Sequence, residues 1–249
     1  MKEWPYPRIV AHRGGGSLAP ENTLAAIRLG QSLGYRMHEL DVKLSRDDVA
    51  ILLHDEKLER TTNARGRAAD RDWKSLHALD AGSWHSEAFR GEPVPGFEEA
   101  ARLLRSKGTM AHIEIKPTPG FDAHTGRAVA DLTRSLWADA KVPPVFSSFS
   151  FEALMAAKET APAIPRGWLV SEFTDADWDR LAALDAAALH TNWRNFSTRD
   201  VAPLHERGYR IMLYTVNDVA TARSLLEAGV DGVFTDSLRE FAEAFPDLI

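Results

Sequence analysis

Four short stretches of this 249-residue chain carry side chains suited to chemistry. His12-Arg13 ends the apolar run Ile9-Val10-Ala11 and is followed by three glycines, and His54-Asp55 closes the run Leu52-Leu53. The segment from His38 to Lys43 sets Glu39 and Asp41 two residues apart, and the segment from His112 to Pro117 does the same with Glu114 and Lys116. Alternate residues of an extended chain share one face, so Glu39 with Asp41, and Glu114 with Lys116, point one way while Leu40, Val42, Ile113 and Ile115 point the other. Taken singly, each feature has a plain reading: a solvated strand face, an ion pair, a structural histidine, a loop. Taken together they describe a site. Three carboxylates facing one low-dielectric mouth repel one another, and the usual remedy is a divalent cation held through oxygen. Hard oxygen ligands favour Mg²⁺ or Ca²⁺. Such an ion beside His12, Arg13, His54 and Lys116 leaves an excess of positive charge, which suits a phosphate group. Phosphoryl transfer needs charge stabilisation on the non-bridging oxygens, an activated nucleophile and a protonated leaving group; the cations supply the first and two histidines the others. Glycines 14–16 then let backbone approach an anion closely.

The elements that must position these groups read as strands alternating with helices. Eight strands are expected: 9–11, 37–44, 110–116, 144–149, 167–170, 188–191, 211–217 and 232–235. Helices are expected between them, among them 22–33 (begun by Asn22 or Glu21 and ended at Gly34), 97–106 (closed by Gly108) and 219–227 (closed by Gly229). Eight such units predict a (β/α)8 TIM barrel, in which strand C-termini converge on one mouth where chemistry is found. His12, Arg13, Asp41, Lys116, Thr215 and Asn217 all fall at or near such ends. Residues 46–96 break the rhythm and read as an insertion after the second strand, a hairpin with short helices that overhangs the mouth. No tandem repeat, low-complexity tract or flexible linker appears, so residues 1–249 are expected to form a single catalytic domain.

Bulk properties narrow the class. Acidic residues outnumber Lys and Arg by 36 to 30, for a formal charge of -6, which argues against broad nucleic-acid binding and a basic membrane-surface role but leaves room for a small anionic substrate. With no cysteine, thiolate metal sites, cysteine nucleophiles and disulfides are excluded. The N-terminal residues lack an apolar signal core and no apolar run is long enough to span a bilayer, so the expected location is the cytoplasm.

With these residues in view, the chain resembles the glycerophosphodiester phosphodiesterase family over nearly its whole length. The resemblance is carried by HRG at 12–14, PENT at 20–23, ELDV at 39–42, HD at 54–55 with LERTT at 58–62, EIKP at 114–117, SSF at 147–149, TVN at 215–217 and DGVFTD at 231–236. It implies a metal-dependent barrel enzyme that hydrolyses glycerophosphodiesters to glycerol 3-phosphate and an alcohol. By matching positions, it implies Glu39, Asp41 and Glu114 as ligands of one divalent cation, His12 and His54 as the acid/base pair, with His54 favoured as base, and Arg13 and Lys116 as phosphate contacts. Phe149, Tyr214 and Asn217 are placed at the substrate, and Glu21 either near the site or on a helix N-terminus. Asn22 and Thr23 are assigned to structure. Tyr214 stands where the family often has Trp, Ser237-Leu238 replaces an aromatic followed by Pro, and Ser45 stands for Thr; none of these removes a charged site residue. Two rival readings are a phosphodiesterase for lysophospholipids or phosphoinositide head groups, with a rim around Trp73, Trp84 and Phe89, and a non-catalytic phosphate-binding protein. The alcohol group and oligomeric state are not specified by these residues.

Overall fold

A computed structural model describes residues 4–249. Its strands in chain order are β1 (Ile9–Ala11), β2 (Met37–Leu44), β3 (Ala50–Leu52), β4 (Met110–Ile115), β5 (Val145–Ser148), β6 (Arg166–Val170), β7 (Ala188–Asn192), β8 (Arg210–Tyr214) and β9 (Gly232–Thr235). All but β3 are parallel neighbours in the order β1-β9-β8-β7-β6-β5-β4-β2, and the pairing of Ala11 with His38 joins β1 to β2 and closes a TIM barrel. Every strand expected from the sequence is present. The expected run 211–217 ends earlier, at Tyr214, because Asn217 already belongs to the loop that braces the mouth.

Helices α1 (Leu24–Ser32), α2 (Trp73–His77), α3 (Phe97–Ser106), α4 (Asp122–Leu136), α5 (Phe151–Thr160), α6 (Asp177–Ala183), α7 (Val201–Glu206), α8 (Val219–Glu227) and α9 (Leu238–Ala244) complete the fold. The reason these segments coil is visible in α3, where Phe97, Ala100, Ala101 and Leu104 recur at helical spacing and are all buried against the barrel. Thr23, rather than Asn22 or Glu21, caps α1, its hydroxyl accepting from Ala26 N at 3.1 Å. That releases Asn22 and Glu21 for other partners.

Residues 46–96 contain the expected hairpin and short helices. β3 runs antiparallel to the upper end of β2, pairing Leu52 with Val42 and Ala50 with Leu44. Ile51, Leu53, Leu58, Ala68, Leu76, Ala81 and Val94 form an apolar cluster of their own with Trp73 packed on it. This cluster sets the loop carrying His54 and Arg60 against the barrel mouth. Tyr6, Val10, Met37, Val145, Met212 and Phe234 form another cluster, lining the lower barrel interior. Among the described residues no helix is long and apolar enough to cross a membrane.

Candidate active site

Direct partners on neighbouring strands share a face, and the ladder aligns Asp41 with Glu114 and Glu39 with His112. The barrel thereby turns Glu39, Asp41 and Glu114 inward, and one carboxylate oxygen from each lies within 4.8 Å of the other two. All three are buried or nearly so. Burial, followed by the charge of Asp41, pushes Glu39 up to about 8 and raises Glu114 from the ordinary carboxylate range. Burial also works to raise Asp41, but Lys116 and Arg13 overcome it and hold this carboxylate below its ordinary value.

The donor set fits a hard divalent cation. It is all oxygen, it carries three carboxylates in one low-dielectric pocket, and Glu39 Oε1 is buried with no hydrogen-bond partner. The surrounding contacts hold one oxygen of each carboxylate: Arg13 N donates to Glu39 Oε2 at 2.8 Å, Asn22 Nδ2 to Asp41 Oδ2 at 2.7 Å and Lys116 Nζ to Glu114 Oε1 at 2.8 Å. Arg13 and Asn22 both have positive φ, 49° and 57°, a costly conformation for residues with side chains. Both strained residues touch the carboxylate cluster.

The two histidines flank this cluster in the same cavity of about 260 Å³, which is also lined by Arg13, Glu39, Glu114, Lys116, Phe149 and Tyr214. Each is held through Nδ1 by an aspartate at 2.7 Å, His12 by Asp236 and His54 by Asp55. That arrangement leaves Nε2 of each ring for a substrate. Their surroundings differ. Burial depresses His12, but the Asp236 hydrogen bond and the charges of Glu39 and Asp236 outweigh it, so its pKa is raised. For His54 burial dominates, reinforced by Lys116 and Arg13 against Asp41 and Asp55, and its pKa is lowered.

Of the expected residues all but Asp41 and Asn217 line this cavity, and Asp41 joins it through the carboxylate cluster. Asn217 does not line the cavity; its Oδ1 accepts from Asp236 N at 2.7 Å and its Nδ2 donates to Asp236 Oδ2 at 3.2 Å, so the carboxamide braces the partner of His12. Tyr214 donates its hydroxyl to Val170 O at 2.8 Å and meets Phe149 edge-on, presenting ring surface to the cavity. The glycine run serves packing. A side chain at Gly15 would approach the Ala26 backbone to 2.9 Å, and one at Gly16 would approach Asp236 O to 2.3 Å. Glycine is required here to seat the loop on α1 and on the end of β9, which holds His12 beside Asp236.

Sequence reasoning assigned no role to Asp236, Asp55 or Arg60, and treated Asn22 as structural. Arg60 donates to Asp55 through Nε and to both oxygens of Glu21, whose Oε1 also accepts from Arg13 Nη1. Five side chains from His54 to Arg13 are thus linked across the mouth. The available signal was position: Asp236 directly follows β9 at the catalytic end of the barrel, and Arg60 sits in the LERTT stretch. In the insertion, Trp73 packs on the local apolar cluster and Trp84 bonds Ala81 O, whereas Phe89 meets His85 edge-on.

The chain is similar to proteins of known family. The sequence profile of the glycerophosphoryl diester phosphodiesterase family matches residues 12–240. A glycerophosphodiester phosphodiesterase of Caldanaerobacter subterraneus subsp. tengcongensis is 31% identical, over 92% of this chain and 93% of its own. Among solved structures, an Oleispira antarctica phosphodiesterase in complex with the product sn-glycerol-3-phosphate superposes with a TM-score of 0.91 at 34% identity, covering 97% of this chain and 98% of that one. A glycerophosphodiester phosphodiesterase of Agrobacterium tumefaciens has a TM-score of 0.79 at 29% identity, over 95% and 99% of the two chains.

Proposed function

We propose, from the premise that the chain belongs to the glycerophosphoryl diester phosphodiesterase family, that it hydrolyses glycerophosphodiesters to glycerol 3-phosphate and an alcohol with the help of one divalent cation. The observation that carries this reading is the convergence of Glu39, Asp41 and Glu114, flanked by two histidines each oriented by an aspartate. The likeness to the Oleispira phosphodiesterase solved with sn-glycerol-3-phosphate supports the product.

Glu39, Asp41 and Glu114 hold the cation, Mg²⁺ or Ca²⁺. When bound, it supplies charge stabilisation to the phosphoryl oxygens. Arg13 and Lys116 flank the same cavity and add their charges to those oxygens, the guanidinium through directed N–H groups and the ammonium as a point charge. Phe149 and Tyr214 cover the glycerol group. His54, which burial keeps neutral, takes the proton of the attacking oxygen at Nε2. His12, held by Asp236, delivers a proton from Nε2 to the departing alcohol. Lys43 Nζ donates to His54 O at 3.2 Å and to Asp55 O, and so fixes the backbone that carries the base.

A coupled assay for released glycerol 3-phosphate, run on glycerophosphocholine with Mg²⁺ or Ca²⁺ and then with a chelator, tests the reading. Release that stops on chelation and returns with added cation is the expected result. Retained binding of glycerol 3-phosphate with no turnover under saturating cation identifies a phosphate-binding protein instead, and turnover of lysophosphatidylcholine in preference to glycerophosphocholine identifies a lipid phosphodiesterase.

A further inference from the structure

The segment between β1 and α1 is closed on itself by Asn22, whose backbone N–H donates to Arg13 O at 3.0 Å. Both residues sit in the left-handed region, at φ 49° for Arg13 and 57° for Asn22. Glycine adopts that conformation without steric cost, and the same segment uses it at Gly14 and Gly16. A turn alone would therefore be served by glycine at position 22. The chain instead places a side chain there and buries it, with 3% of Asn22 exposed. Both ends of its carboxamide engage a single residue: Nδ2 donates to Asp41 Oδ2 at 2.7 Å, and Oδ1 accepts from Asp41 N at 3.0 Å.

Two bonds to one partner fix more than a distance. An amide has a donor at one end and an acceptor at the other, so the N–H of Asp41 sets which way the carboxamide points, and the donor then meets Asp41 Oδ2. Arg13 Nε stands 3.4 Å from that same oxygen, whereas Lys116 Nζ is 3.7 Å from Oδ1, beyond hydrogen-bond reach. The carboxylate is thus gripped by one oxygen. Arg13 does likewise for Glu39, its backbone N–H holding Oε2 at 2.8 Å. Each strained residue of the turn therefore holds one of the two carboxylates that β2 sends inward. The backbone beside Asn22 is fixed in turn by Thr23, whose hydroxyl donates to Pro20 O at 2.7 Å and caps α1.

We propose that Asn22 is a positioning residue for the divalent cation, holding Asp41 in the rotation that leaves Oδ1 for the ion, so that the ligand set is assembled before a cation binds. This rests on the divalent-cation reading above. Three carboxylates in one low-dielectric pocket repel one another. Without a brace, they swing apart in the cation-free protein and have to be gathered at the moment of binding, which costs affinity. Loss of the carboxamide frees Asp41 to rotate, while glycine at the same position keeps the left-handed turn.

The test is a calorimetric titration of Mg²⁺ and of Ca²⁺ into cation-free protein, well below the melting temperature of each variant. Asn22→Gly is expected to raise Kd by about 10–100-fold, the range for losing an outer partner of a metal ligand. Asn22→Ala loses the same carboxamide but keeps a strained turn, so it should melt lower than the glycine variant and show the same rise in Kd. It also decides the matter if the glycine variant lacks a cooperative melt. Thr23→Ala reports a merely structural role: it removes the cap of α1 one residue along and should lower the melting temperature while leaving Kd unchanged. An Asn22→Gly protein that binds both cations as tightly as the wild type overturns the proposal, and so does a loss of affinity in Thr23→Ala as large as in Asn22→Gly. A wild type that binds neither cation defeats the cation reading and this one together, whereas tight binding that survives the loss of Asn22 defeats this one alone.

Discussion

His12 Nδ1 lies 2.7 Å from Asp236 Oδ1, although the two residues are 224 positions apart in the chain. The pairing joins the end of β1 to the loop after β9, the two strands at the chain's extremes that the closed barrel makes neighbours. Asp236 orients the ring and, with Glu39, raises its pKa against the opposing effect of burial.

Asp236→Asn therefore retains the shape but loses the charge. We expect kcat to fall by about 10²–10⁴, the range typical of a lost general acid, with KM changed little. Steady-state kinetics on glycerophosphocholine measures this. A variant with wild-type kcat would remove Asp236, and with it the proton-donor role of His12, from the mechanism.

Arg60 bridges Asp55, which orients His54, and Glu21, which orients Arg13. Its side chain is 44% exposed, so water screens these ion pairs and the effect of losing them is modest. Arg60→Lys keeps a charge but loses the planar fork, and kcat is expected to fall by about ten-fold, or about 1.4 kcal/mol in activation free energy. Arg60→Gln should fall further. Equal stability of the two variants in a thermal melt, alongside unequal kcat, would confirm that Arg60 positions the site rather than holding the fold.

The barrel and the carboxylate cluster were legible in the sequence because both are encoded locally. Alternation at 39–42 and 113–116 fixes which side chains face inward, and a strand's last residues face the mouth by topology. The aspartate partners were less legible. Pairing of Asp236 with His12 depends on barrel closure, and the link from Arg60 to Glu21 depends on how the insertion folds over α1. Asn217 was expected at the substrate from its place after β8, and the contacts it makes in the fold, with a backbone N–H and a carboxylate of the next loop, depend on the same closure. The glycine run suggested an anion cradle from composition alone, yet its close contacts are with Ala26 and Asp236, neighbours that periodicity does not identify.

Removal of the cation should expose the strain of the carboxylate cluster. Addition of Mg²⁺ or Ca²⁺ to chelated protein is expected to raise the melting temperature in a concentration-dependent way, with about 2.7 kcal/mol of added stability at a hundred times Kd. Glu39→Gln relieves the mutual repulsion, so this variant should melt higher than the wild type without cation and respond weakly to its addition. A melting temperature of the wild type that is indifferent to both cations up to millimolar concentration would argue against a site at Glu39, Asp41 and Glu114.

His190 gives a signature in stability rather than rate. It is fully buried, and burial lowers its pKa from 6.5 to about 3. The unfolded chain binds a proton at this position below pH 6.5 while the folded protein does not until near pH 3, so the unfolded state gains on acidification. Stability is thus complete above pH 6.5 and declines through the interval down to the folded value, at about 1.4 kcal/mol per pH unit for one such group. His190→Leu removes this contribution. Between pH 6.5 and 5.0 urea unfolding of the wild type should therefore lose about 2 kcal/mol more stability than unfolding of the variant. Buried His38 contributes to both proteins and cancels in the difference, whereas His112, which shares a hydrogen bond with His190, is read in a His112→Leu background. Parallel pH profiles would mean that His190 titrates in the folded protein much as it does in water, and the barrel interior around it would then be open to solvent rather than dry.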